Sequence, residues 1–302
     1  MSIVAITGGT GFVGRKLIER AVEAGHEVRA LTRRPQPDRA RVTWVSGALD
    51  TPIALTSLIR GVDAVIHVAG VVNAPDRAGF ATGNIAGTQA MVDAAKAVGV
   101  RRFVHVSSLT AREPGLSNYG WSKAGAEHVV EASGLDWTIV RPPAIYGPGD
   151  TEMLDMFRIA RFGLALLPPP GKMSVIEVGD LARLLLALVA TNPGRIILDA
   201  DDGVDGGWTH DGFARAIGAA VGHRVMPLAL PRPLLSLAAR ADRLLRGSKA
   251  KLTRDRVDYF CHADWTIDPS HRPDAGLWKP AVATPQGLAA TASWYRANGM
   301  LR

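Results

Sequence analysis

Three glycines near the start, Gly8, Gly11 and Gly14, constrain this chain more than any other feature. Ahead of them runs Ile3-Val4-Ala5-Ile6, an apolar stretch too short for a buried helix. After them Val13, Leu17, Ile18 and Ala21 recur at helical spacing. The order is strand, glycine turn, helix. In such a unit the first glycine permits the tight turn. The second lets the backbone approach a pyrophosphate, and the third lets the helix pack close to the strand. The helix start then offers free N–H groups and partial positive charge to phosphate. Residues Gly8, Thr10, Gly11, Phe12, Val13 and Gly14 are therefore expected to hold a dinucleotide.

The pattern continues. The first helix ends near Gly25, a natural C′ residue. Strands are expected at 26–32, 42–46, 64–70, 102–107 and 137–141. Helices are expected at about 52–60, 82–98 and 118–133. Strands alternating with helices imply βαβ units with right-handed crossovers. The uniformly apolar strands fit a parallel sheet covered on both faces. After Pro142-Pro143 the rhythm changes. Loops at 147–150 and 168–171 separate helices near 179–190, 209–221, 231–246 and 285–297, with strand-like pieces at 195–199 and 224–228. The expected fold is α/β: a Rossmann doubly wound parallel sheet with a smaller, mostly helical C-terminal region. Residues 1–150 are expected to bind the nucleotide and 151–302 the substrate, with some later segments able to return to the first part.

Composition narrows the function. The 302 residues suffice for one large α/β unit or a Rossmann domain plus a smaller one. A single cysteine, Cys261, precludes an intrachain disulfide. The net charge of +7 comes from scattered arginines without interleaved aromatics, so no nucleic-acid partner is expected. The densest apolar segment, Leu184 to Ala190, is too short to span a bilayer. The first strand begins almost at residue 1, so no signal segment is expected and the expected location is cytoplasmic. No His/Cys/Asp grouping has metal-ligand spacing, and no metal is expected. His67 and His105 sit in apolar strands and are read as core, as are Trp265 and Trp278. Leu234, Leu237, Ala238, Ala241 and Leu245 form an apolar stripe, with Arg240, Arg243 and Arg246 away from it. Such a helix can lie on a membrane; packing on its own domain is the expectation.

The reacting groups come next. Ser107 and Ser108 end the fifth strand, where open parallel sheets place their ligands. Tyr119 and Lys123 are four apart at a helix start and point from one face. A phenol with a pKa near 10 is a poor base, and a nearby ammonium favours its phenolate. With a serine hydroxyl to hold the substrate oxygen, the set suits proton transfer at an alcohol or carbonyl while hydride moves to or from a nicotinamide.

These stretches resemble the extended or atypical short-chain dehydrogenase/reductases. They are also similar to the NAD(P)-dependent epimerase/dehydratase and 3β-hydroxysteroid-dehydrogenase-like groups. The resemblance lies in Thr7-Gly8-Gly9-Thr10-Gly11-Phe12-Val13-Gly14, His67-Val68-Ala69-Gly70, Asn84-Ile85-Ala86-Gly87-Thr88, Val106-Ser107-Ser108, Tyr119-Gly120-Trp121-Ser122-Lys123 and Arg141 to Gly149. It is dense over 1–150 and loose beyond, chiefly Val178-Gly179-Asp180-Leu181-Ala182 and Trp294-Tyr295. It implies Ser108 as catalytic serine, Tyr119 as acid/base and Lys123 as its partner. It implies Asn84 as support for an active-site water and the lysine. Leu49, Val68, Ala69, Gly70 and Val106 would line the cofactor. Pro142, Pro143, Ala144 and Ile145 would meet the nicotinamide amide.

Departures sharpen the expectation. Thr32 stands where the family often has the aspartate that takes the ribose hydroxyls of NAD, and Arg33 and Arg34 follow it. Arginine suits a 2′-phosphate, so NADP(H) is expected over NAD. The usual adenine-holding Gly-Asp pair reads Gly47-Ala48, so that contact is lost or moves to Asp50. Met173 and Glu177 occupy the places of the arginine and histidine that clamp a nucleotide sugar. With Leu164, Leu166, Leu167 and three prolines near the pocket, an apolar small-molecule substrate is expected. The alternatives are a nucleotide-sugar epimerase or dehydratase, and a non-catalytic scaffold resembling an accessory subunit of respiratory complex I. The helices at 82–98 and 118–133 resemble the pair through which this family dimerises, so a homodimer is expected.

Overall fold

The computed structural model describes residues 1–247 and 252–301. The first half alternates strand and helix: β1 Ile3–Thr7, α1 Phe12–Glu23, β2 Glu27–Thr32, β3 Val42–Ser46, α2 Pro52–Ile59, β4 Ala64–His67, α3 Arg77–Phe80, α4 Gly87–Val98, β5 Arg102–Val106, α5 Asn118–Glu131 and β6 Asp136–Arg141. The second half adds β7 Ala144–Tyr146, α6 Leu154–Ala160, β8 Leu164–Leu167, β9 Lys172–Met173, β10 Val175–Glu177, α7 Val178–Ala190 and β11 Ile196–Asp199. Then come β12 Trp208–Thr209, α8 His210–Val221, β13 Met226–Ala229, α9 Arg232–Arg246, α10 Arg254–Phe260, β14 Asp264–Trp265 and α11 Thr284–Ala297.

Seven strands form one sheet in the order β11-β6-β5-β4-β1-β2-β3, each neighbouring pair parallel. The sequence of the strands explains this. β4 and β5 are buried at every residue, which only a sheet covered on both faces can accommodate. α1 and α7 cover one face with Leu17, Ile18, Ala21, Leu181, Leu184 and Leu188. α2, α4 and α5 cover the other with Leu55, Leu58, Ile59, Met91, Val92 and Val130. This is the expected doubly wound Rossmann architecture. The strand order reverses between β1 and β4, so the ligand crevice belongs at their carboxyl ends.

α7 and β11 lie in the second half of the sequence but belong to the large sheet. β11 pairs with β6 from Ile196 opposite Thr138 to Asp199 opposite Arg141. The other later elements form a second core around Tyr146, Phe157, Phe213, Leu288 and Tyr295. Three small sheets, β7 with β10, β8 with β13, and β9 between β12 and β14, tie it together.

Two elements depart from the sequence reading. The helix expected from Thr82 starts at Arg77, because Asp76 caps it by accepting from the Gly79 N–H at 2.8 Å. Between α3 and α4, residues 81–86 form a wide π-turn that carries Asn84 inward. The second departure is α9. Its apolar stripe does not pack on its own domain: Leu234, Leu237 and Leu245 are exposed, and Ala239 is the residue of the helix that is buried. The helix docks against α10 with its other, small-residue side.

Candidate active site

The site begins at the end of β1. Gly8 has φ of +72°, a left-handed conformation that favours glycine. Its carbonyl accepts from the Gly11 N–H at 3.0 Å. A Cβ on Gly14 would lie 2.1 Å from that same carbonyl oxygen, so the first turn of α1 rests directly on the glycine loop. A Cβ on Gly11 would meet only the Gly8 oxygen, leaving its other side open toward the crevice. Gly11 caps α1 without a side-chain hydrogen bond, so the first N–H groups of α1 face the crevice uncapped. That cradle fits a pyrophosphate.

All of the nominated site residues except Arg34 line one cleft of about 2690 Å³. Arg33 is exposed on its wall, whereas the Arg34 carbonyl turns back to accept from the Thr32 hydroxyl at 2.6 Å. Gly47, Ala48 and Asp50 line the same end.

The two serines separate clearly. Ser107 donates to Glu127 Oε1 at 2.5 Å, and Glu127 is held by a two-pronged ion pair from Arg141 at 2.8 and 2.6 Å. That hydroxyl is spent inside the protein. Ser108 accepts from the Thr110 hydroxyl at 2.9 Å and keeps its own proton for the cleft, within hydrogen-bond reach of the Tyr119 phenol. Lys123 is buried and donates from Nζ to the Val106 carbonyl at 2.8 Å. Burial depresses its pKa to about 8. Burial also raises the Tyr119 phenol above its ordinary value, against a smaller opposing pull from Ser108. Desolvation is the larger of the two influences, and it favours the protonated phenol.

Asn84 is buried beside Gly70, and a Cβ on Gly70 would meet both its Oδ1, at 2.8 Å, and Lys123 Nζ, at 3.9 Å. The Asn84 amide donates to Ser122 Oγ at 2.8 Å and to the Val71 carbonyl at 3.0 Å, and its oxygen accepts from the Val71 N–H at 2.7 Å. Ser122 in turn donates to the Tyr119 carbonyl at 2.8 Å. Asn84 thus ties the π-turn to the helix bearing Tyr119 and Lys123, with both N–H donors engaged. His67 and His105 are core, as expected: His67 bonds Thr7 and Thr88, and burial lowers both imidazoles.

The outer walls include residues that no motif signalled. Tyr259 and Phe260 of α10 line the cleft, and Tyr259 lies on the ring of Trp265 at 5.1 Å between centroids. Trp265 is both buried and part of the wall, while Trp278 is core only. Leu166, Leu167 and Pro168 line the cleft, whereas Leu164 faces out. Where a nucleotide-sugar enzyme would carry a cationic clamp, Met173 offers a thioether. Glu177 is spent capping α7 through the Gly179 and Asp180 N–H groups. Among the described residues no His, Cys, Asp or Glu cluster could hold a metal, and no helix is long and apolar enough to cross a membrane.

A Rossmann crevice with a glycine cradle and a Ser-Tyr-Lys set defines an NAD(P)-dependent oxidoreductase of the extended short-chain type. The comparisons agree: residues 8–191 match the NAD(P)H-binding family, and the chain belongs to it. It is 38% identical to a protein named ceramide reductase from Caulobacter vibrioides, over 99% of this chain and 96% of that one. It is 28% identical to sterol demethylase protein B of Methylococcus capsulatus, over 98% and 99% of the two chains. In fold it is similar to MoeE5, solved in complex with UDP-glucose and NAD, at a TM-score of 0.75 and 19% identity over 99% of each chain.

The cradle yields a direct test. In Gly14→Ala the new methyl meets backbone rather than a flexible side chain. Overpacking of that kind costs roughly 1–3 kcal/mol. NAD(P)H affinity, followed by nucleotide fluorescence, should fall by about tenfold or more, as 1.4 kcal/mol is a factor of ten. Unchanged affinity would show that α1 does not seat the nucleotide.

Proposed function

We propose that this protein reduces a ketone on a long-chain, apolar lipid, with NADPH as the preferred hydride donor and Tyr119 as the proton donor. The observation that carries this reading is a half-buried phenol within hydrogen-bond reach of Ser108, lining a cleft with apolar and aromatic outer walls. The full-length similarity to a protein named ceramide reductase supports a keto lipid of the ceramide class. The lack of a cationic clamp at Met173 and Glu177 counts against a nucleotide sugar, despite the fold similarity to MoeE5. The intact Ser108, Tyr119 and Lys123 set counts against a scaffold.

The bound cofactor supplies the hydride. Ser108 holds the carbonyl oxygen beside the Tyr119 hydroxyl. As that oxygen gains negative charge, Tyr119 gives up its proton and the alcohol forms. The Lys123 ammonium, fixed by Val106, steadies the phenolate until a solvent proton replaces the one spent. Residues 1–150 with α7 and β11 are the cofactor-binding part in this reading, and the remaining later elements bind substrate. A cytoplasmic homodimer built through α4 and α5 belongs to the same reading.

Tyr119→Phe should lower ketone turnover by about 10²–10⁴ while cofactor affinity stays within a few-fold. Steady-state kinetics on a panel of long-chain keto lipids checks this. Full activity in the variant would refute the assigned proton donor.

The pH profile follows from Lys123, whose pKa is depressed to about 8. Reduction needs the ammonium, so kcat/KM should be level below that pH and fall above it as the proton leaves. In Lys123→Met the residual rate should lose this alkaline limb. A limb that persists there would assign it to another group.

Cofactor choice rests on Arg33. A charge-assisted phosphate contact contributes about 1.5–3 kcal/mol, or roughly 10- to 150-fold in Kd. NADPH should bind more tightly than NADH by that factor, and Arg33→Ala should remove most of the difference. Equal titration curves for both nucleotides in the parent protein would contradict it.

A further inference from the structure

We propose that α9, with the β8–β13 ribbon that leads into it, is a docking face for an anionic lipid bilayer. Leu234, Leu237, Leu244 and Leu245 are 47%, 60%, 87% and 86% exposed. At about 100° per residue these leucines fall on one side of α9 together with Ala238 and Ala241. Isolated exposed leucines are ordinary, but a continuous apolar side marks an interaction surface. The ribbon extends it. Leu164 sits opposite Met226 and Leu166 opposite Leu228, so each pair shares a face. All four are exposed, at 38%, 62%, 49% and 47%. β13 passes through Leu230 and Pro231 straight into α9, and Leu166, Ala238 and Leu244 line the same cleft as the glycine turn and Tyr119.

Charge decides the occupant. Arg232, Arg240, Arg243 and Arg246 outnumber Asp242 in α9, which gives 4 − 1 = +3 over residues 232–246, with Arg232 paired to Asp258 of α10 and Arg246 to Asp242. At the same spacing Arg240 borders the apolar side at one edge and Arg246, paired with Asp242, at the other, while Arg232 and Arg243 fall on the opposite side. Leucines in the middle with guanidinium groups at the edges match acyl chains beneath anionic headgroups. This part of the cleft wall then lies on the lipid surface. Transfer of a lipid from bilayer to cleft rests on the proposed function, whereas docking does not.

The test uses the full chain and vesicles of phosphatidylcholine, with or without phosphatidylglycerol, in co-sedimentation without turnover. The protein should partition onto the anionic vesicles, less onto phosphatidylcholine alone and less as salt rises. The double variant Leu237→Glu, Leu245→Glu should reduce partitioning by about tenfold or more. Both side chains are exposed and lie off the cleft wall, so thermal unfolding and cofactor binding should match the parent. Failure of the parent to bind anionic vesicles, or equal binding by the variant, overturns the proposal. So does a solution dimer that the double variant splits, which would make this face an interface between copies. Vesicle binding with no ketone reduced would leave docking standing and remove the proposed activity.

Discussion

The structure depends on how closely α1 can approach the end of β1. A methyl group at residue 14 would sit 2.1 Å from the Gly8 oxygen, and one at residue 8 would sit 2.8 Å from the Ala69 nitrogen. The glycine turn is therefore pressed between α1 and the loop after β4. That contact sets the depth of the crevice at the switch point, and with it where a dinucleotide meets the helix N-terminus. The strands alone could support many αβ arrangements. The missing side chains select one.

A second constraint is polar and buried. Glu127 is 4% exposed and Arg141 14%, and Glu127 also accepts from Ser107. The carboxylate holds the guanidinium above its ordinary pKa. Removing either partner leaves an uncompensated charge, at a cost of roughly 3–5 kcal/mol. The pair joins α5 to β6 immediately behind the reacting residues. On the other side of α5, Asn84 and Ser122 hold the helix to the π-turn. Tyr119 and Lys123 are thus placed by a helix fastened on two sides, which is how one turn of sequence spacing becomes a fixed distance between functional groups.

The sheet was legible because its period and glycines are local signals. The Ser108, Tyr119 and Lys123 set was legible because a strand end and one helical turn present it. The resemblance pointed to Ser108 over Ser107, and the fold adds the physical reason: the Ser107 hydroxyl is spent on Glu127, twenty residues on. The bond from the Asn84 amide to Ser122 carried no sequence signal, because it depends on the π-turn that brings the two helices together. The Val178-Gly179-Asp180 stretch was legible only as a loose match to the family. In the fold Asp180 accepts from the Ala281 and Val282 N–H groups at 2.9 and 3.0 Å and fastens the segment before α11. Tyr259 and Phe260 carried no signal at all, because a wall built by packing a late helix over a cleft leaves no pattern in sequence.

α9 shows why periodicity alone cannot say what an apolar face meets. The spacing of Leu234, Leu237, Ala241 and Leu245 establishes that the helix has such a face. It says nothing of whether protein or lipid lies opposite. The fold answers half of that, because the side that docks on α10 is the small one, around Ala239, fastened by the Arg232–Asp258 ion pair at 2.5 Å. A helix held by an alanine and a surface ion pair has little to gain from the protein beneath it. Its larger apolar area is turned outward, where burial at about 25 cal/mol per Å² would contribute only against another apolar phase. The position of that helix along the cleft therefore links the chemistry at Tyr119 to the phase from which an apolar substrate would come.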